Sequence, residues 1–97
     1  MEAEQFLARV GRLAERHGLS PLAAGILIAS HCGAAQDSRT FARVFGVAHA
    51  LVLREIEMLD TERHLLTVTS ENHLMRRSYA LTELGREWLE EEDPPAL

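Results

Sequence analysis

Residues 38–88 read SRTFARVFGVAHALVLREIEMLDTERHLLTVTSENHLMRRSYALTELGREW. Asp37 or Ser38 can cap a helix running to about Phe45, because a short polar side chain there satisfies the first free amides. Gly46 follows and tolerates the positive φ of a tight turn. A longer helix is expected from about Ala48 to Arg63, with Val52, Ile56 and Leu59 at the spacing of one inward stripe. Leu65–Ser70, rich in Thr and Val, predicts a strand. Glu71–Arg76 is polar and suits a hairpin tip, and Arg77–Leu81 predicts the returning strand. Thr82 caps a closing helix that runs through Trp88 to about Glu92.

Upstream, Phe6, Val10 and Leu13 fall at helical spacing between Glu2 and His17, and Gly18 ends that helix. Ser20-Pro21 opens the next, with Ser20 as cap and Pro21 in the first turn. Leu22–Cys32 is apolar nearly all round, which predicts the most buried helix, closed by Gly33. The expected architecture is mainly α with a small β-hairpin (α+β), about five helices and two strands. At 97 residues the chain is read as one domain, 1–97. The acidic Pro-Pro end, Glu90–Leu97, is expected to fray.

Within this order, Ala42, Gly46, Val47 and the stripe Val52/Ile56/Leu59 meet the packing demands of two helices joined by a tight turn. Ala42 is small where the second helix crosses, and Val47 is apolar to fill the angle. The segment RSYALTELGREWL, Arg77–Leu89, resembles the end of the wing and the closing helix of MarR/PadR-type winged helix-turn-helix transcription regulators. There an apolar strand runs into Leu-Thr-Glu-x-Gly, here Leu81, Thr82, Glu83, Leu84 and Gly85. The resemblance covers about half the chain. It implies a helix-turn-helix at about 38–63, a wing at about 65–81 and a closing helix at about 82–92. The pattern departs from the family where Arg63-His64 stands in place of a Gly after the recognition helix. The wing is also short and lacks the family's Asp-Arg-Arg.

The function implied is sequence-specific binding of double-stranded DNA by a small dimeric transcription regulator of bacterial type. The recognition helix would enter the major groove and the wing would reach the backbone. Arg54 is then placed for a guanine contact, and His49 for a phosphate or base edge. Arg39 and Arg43 approach the backbone from the preceding helix, and Arg76 and Arg77 from the wing. Phe6, Val10, Leu13, Trp88 and Leu89 lie on the helices such regulators use to form a homodimer. Against DNA stand the net charge of −5 and the acidic Glu55 and Glu57 beside Arg54. These favour the alternative, a winged-helix module that binds a protein through an exposed Leu53. All ten basic residues are Arg. Arg suits bidentate phosphate and guanine contacts better than Lys.

No phosphate-binding glycine loop, nucleophile elbow or paired carboxylates mark the chain as an enzyme. No cofactor is implied. Five histidines and one cysteine invite a metal site. His31 and Cys32 are adjacent and diverge on a helix, while His49, His64 and His73 lack the short spacings of zinc ligands. Cys32 is expected to be a small buried apolar residue. A lone cysteine, an acidic N-terminus and apolar runs far shorter than a membrane span make a cytoplasmic location the expectation.

Overall fold

The computed structural model describes residues 2–92, the side chain of Glu92 excepted. Five helices and one antiparallel hairpin follow in the order α1 (Ala3–His17), α2 (Pro21–His31), α3 (Ser38–Phe45), α4 (His49–Thr61), β1 (Leu66–Glu71), β2 (Arg77–Leu81) and α5 (Glu83–Glu92). This mainly α, α+β arrangement is compatible with a winged helix. The Pro-Pro end lies outside the described residues.

Local chemistry sets the helix boundaries. Ser20 Oγ accepts the amide of Ala23 at 3.0 Å, and Pro21 begins α2. Asp37, rather than Ser38, caps α3 by accepting from the Thr40 amide at 2.8 Å. Gly18 and Gly46 end α1 and α3 in the left-handed region. α2 runs to His31 with Cys32 as its cap, and Gly33 closes it as expected, in the left-handed region, with its amide donating to Ser30 and that of Ala34 to Ala29. α4 is shorter than expected at both ends, with Ala48 as its cap and Glu62 just beyond it.

The closing helix is built on a backbone contact. Thr82 Oγ1 accepts the Gly85 amide at 3.0 Å and donates to the His64 carbonyl at 2.7 Å. The Thr82 amide donates to the Leu65 carbonyl at 3.1 Å. The first turn of α5 therefore sits against Leu65, where only a residue without Cβ fits. Between α4 and β1, His64 takes φ +55°. This left-handed turn carries a strain of about 1–2 kcal/mol for a residue with a Cβ.

Every element contributes to one core. Val10 and Leu13 come from α1, Ile26, Leu27 and Ile28 from α2, Phe41 from α3, and Val52, Ile56 and Leu59 from α4. Leu66, Tyr79 and Leu89 complete it from β1, β2 and α5. α2 is buried from Ala23 through Ser30, as its apolar circumference predicts. The hairpin pairs Leu66 with Leu81 and Glu71 with Arg77, and a bulge at Val68/Ser70 shifts the register. The other edge of β2 pairs with the loop before α3, through a bridge between Asp37 and Ser78 and the Tyr79 amide donating to Gln36. That edge contact fixes the hairpin against the start of α3.

Candidate nucleic-acid interface

Four of the six candidate contact residues converge where α3, α4 and the hairpin meet. Ser38 is the joint. It is fully buried, and its Oγ accepts the Arg77 amide at 2.9 Å. The same Oγ lies 2.8 Å from Nε2 of His49. The hydroxyl proton needs an acceptor in this buried place, and the imidazole nitrogen is the one within reach. Ser38 thus donates to Nε2, and the neutral ring carries its proton on Nδ1. One side chain ties β2 to the starts of α3 and α4.

Arg39 Nη2 donates to the Leu74 carbonyl at the hairpin tip, at 2.8 Å. Arg76 lies 3.5 Å from the carboxylate of Asp37, and Arg77 Nε donates to Glu71 at 2.6 Å. None of these bonds exhausts a guanidinium, which has five N–H donors. They hold the arginines in place, and donors are left over for an anion. Around the joint Arg39, Arg76 and Arg77 stand against Asp37 and Glu71, whereas the whole chain is at −5. This corner is positive within an acidic molecule.

Burial lowers the pKa of His49, the Arg39 guanidinium lowers it further, and Asp37 opposes both. Burial works to raise the pKa of Asp37, but the Thr40 amide and hydroxyl, Arg76 and the Arg39 amide hold it below the usual carboxylate value. The unfolded chain takes up the His49 proton first as pH falls below about 6.5. His49 therefore stabilises the fold above that pH, and the contribution fades as pH drops toward the lowered folded value. Stability measured by urea titration between pH 7.5 and 5 is expected to fall more in the wild type than in His49→Gln. Parallel pH profiles would contradict the neutral, Ser38-bonded ring.

The remaining two candidates stand apart from this joint. Arg43 and Arg54 are exposed and have no hydrogen bond or ion pair among the described residues. Arg54 lines a cleft of about 500 Å³ with Glu55, Glu57, Met58, Thr61 and Glu62. The second half of α4 is therefore electronegative around its one cation.

The hairpin tip carries features that residue type alone did not signal. Asn72 Oδ1 accepts the amides of Leu74 and Arg76 at 2.9 and 3.1 Å. Met75 takes φ +61°, a conformation that costs a residue with a Cβ about 1–2 kcal/mol. The tip expected to be polar presents Leu74 at 58% and Met75 at 51% exposure.

The expected dimerisation residues are mostly consumed by the single chain. Leu13 and Leu89 are fully buried and Val10 nearly so, because one small core draws on every helix. Phe6 stacks on Phe45 at 5.1 Å, and Trp88 on His17 at 3.8 Å with Arg63 over its ring. The apolar surface of α1 is instead Leu7, 67% exposed, beside a groove of about 480 Å³ lined by Ala3, Phe6, Cys32, Ala34 and Phe45. Cys32 is exposed rather than buried, because it caps α2 just beyond the buried stretch. On α4 the exposed leucine is Leu51, not Leu53, which is half-buried.

The Tyr79 hydroxyl is buried without a partner among the described residues, and burial followed by the charge of Asp37 pushes its pKa up. Among the described residues no three His, Cys, Asp or Glu are grouped to hold a metal ion. None of the described helices is long and apolar enough to cross a membrane. Compared with protein families, curated proteins and solved structures, the chain gives no match in any of the three.

Proposed function

We propose that the chain is a winged helix-turn-helix of MarR/PadR-like type that binds double-stranded DNA as a homodimeric transcription regulator. The observation that carries this reading is the positive corner formed by Arg39, Arg76 and Arg77 beside His49 at the start of α4. Duplex DNA is recognised chiefly through its phosphates, and a local concentration of guanidinium groups matters more than net charge. With α4 in the major groove, the neutral His49 ring offers its Nδ1–H to a phosphate or base edge, and Arg54 reads a guanine. The wing arginines bind the flanking backbone. The second copy packs against the Leu7 face of α1, with Phe6 beneath it.

Replacing both Arg76 and Arg77 with Ala should weaken binding to any duplex and lower the slope of log K against log salt by about two per protomer. Fluorescence anisotropy across a salt series measures this, and an unchanged slope would remove the wing from the interface. A second reading, a protein-binding module without DNA, draws on Leu51 and the carboxylates of the Arg54 cleft. Binding of a protein through α4 with no retention of duplex DNA would favour it.

A further inference from the structure

We infer that the hairpin tip is an apolar wedge that enters the minor groove of a DNA duplex and kinks it. This rests on the DNA reading and adds to it a deformation of the partner. Four observations meet at Leu74 and Met75. Both side chains are more than half exposed at a loop tip, where polar residues are the norm. Met75 holds a left-handed backbone conformation that Gly or Asn would adopt more easily, and so keeps an apolar side chain at the apex.

The tip is also tied down. The amide of Asn72 donates to the Arg76 carbonyl at 3.1 Å, and that of Met75 to the Asn72 carbonyl at 2.9 Å. The Asn72 side chain closes the same turn from inside through the amides of Leu74 and Arg76. Arg39 holds the Leu74 carbonyl from α3. A wedge must be ordered before it enters, since a floppy loop would yield before the base stack does.

The surroundings select the partner. Arg39 and Arg76 flank the tip, exposed His73 adjoins it, and Asp37 and Glu71 are each paired with an arginine. An apolar point within a cationic collar is complementary to a groove walled by phosphates. Minor-groove proteins that bend DNA insert Leu, Met or similar side chains between base steps in this way. Pyrimidine–purine steps unstack most readily, so a T·A step is the preferred entry point.

The test uses the full chain at low salt with a short duplex bearing donor and acceptor dyes at its ends and 2-aminopurine at a central T·A step. The wild type is expected to bend the duplex by about 20–90° and to raise 2-aminopurine fluorescence several-fold. The Leu74→Ser/Met75→Ser double variant should bind with the same salt slope, because its arginines are intact, but leave the duplex straight and the base stacked. Circular dichroism and thermal unfolding establish that the variant is folded. Met75→Gly, which relaxes the backbone and removes the apex, should lose the fluorescence change as well. A wild type that binds straight, stacked DNA, or a folded double variant that still bends it, overturns the wedge while leaving DNA binding intact. A wild type that binds no duplex overturns the DNA reading itself.

Discussion

Gly85→Ala is expected to destabilise the fold by about 3 kcal/mol, at the upper end for overpacking because the obstacle is backbone. A Cβ at this position would overlap the carbonyl oxygen of Leu65 and lie 3.1 Å from its carbonyl carbon. A flexible side chain could turn away, but Leu65 cannot, since its own side chain is fully buried and its carbonyl accepts the Thr82 amide. Relief would require α5 to lift off the hairpin base, exposing Leu89 and breaking the Thr82 bonds to His64 and Gly85. Gly11 is the control. It is exposed in the middle of α1, and a Cβ there meets nothing within 4 Å. Gly11→Ala should therefore stabilise by about 0.5–1 kcal/mol through helix propensity. Urea denaturation of both variants measures the contrast. A Gly85→Ala loss below about 1 kcal/mol would mean that α5 does not sit on Leu65 as described.

Ser38→Ala carries the second large effect, about 2 kcal/mol, from orphaned buried polar groups rather than lost apolar contact. The Arg77 amide loses its acceptor in a place water does not reach easily, and His49 Nε2 loses its donor. His49 is half-buried and can recruit water, so most of the loss falls on the Arg77 amide. The consequence should be local as well as global. Hydrogen exchange at Arg77 is expected to accelerate beyond that of the core amides, as β2 loosens from α3 while the helices stay packed. Uniform acceleration across the chain would argue against Ser38 as a joint between hairpin and helices. The Asp37–Ser78 bridge and the Arg39–Leu74 bond would persist, so the hairpin should loosen without detaching.

These two residues mark what a sequence does and does not reveal. Ser20, Asp37, Gly46 and Thr82 act on amides within a few residues, and such local chemistry can be read directly. Gly85 stood out through its motif, but the reason for a glycine there lies in Leu65, twenty positions earlier. Ser38 gave no signal beyond a possible cap, because its partners are 11 and 39 residues away. His64 and Met75 take positive φ with no Gly or Asn to signal it, so the left-handed backbone at these two turns could not be foreseen. Of the α1 and α5 residues expected between two copies, Val10, Leu13 and Leu89 are buried within the single chain for a related reason. Periodicity shows that a helix has an apolar face, but not whether that face meets its own core or a second chain. Leu13 and Leu89 face the core, and Leu7 does not.

The candidate arginines were legible as residues but not as an assembly. Their spacing in the chain says nothing of the contacts that fold the hairpin tip onto α3. Those contacts convert scattered cations in an acidic sequence into a positive corner. The acidic half of α4 is part of the same picture. On the DNA reading proposed above, it confines the contacts to the start of that helix, with Arg54 standing among carboxylates.

The most direct measurement is the equilibrium binding of purified protein to duplexes selected from random DNA, repeated across a salt series. With Arg39, Arg43, Arg54, Arg76 and Arg77 at the interface, each protomer should contribute about −4 to −5 to the slope of log K against log salt. Failure to retain any duplex at low salt, or a slope near zero, would contradict the account.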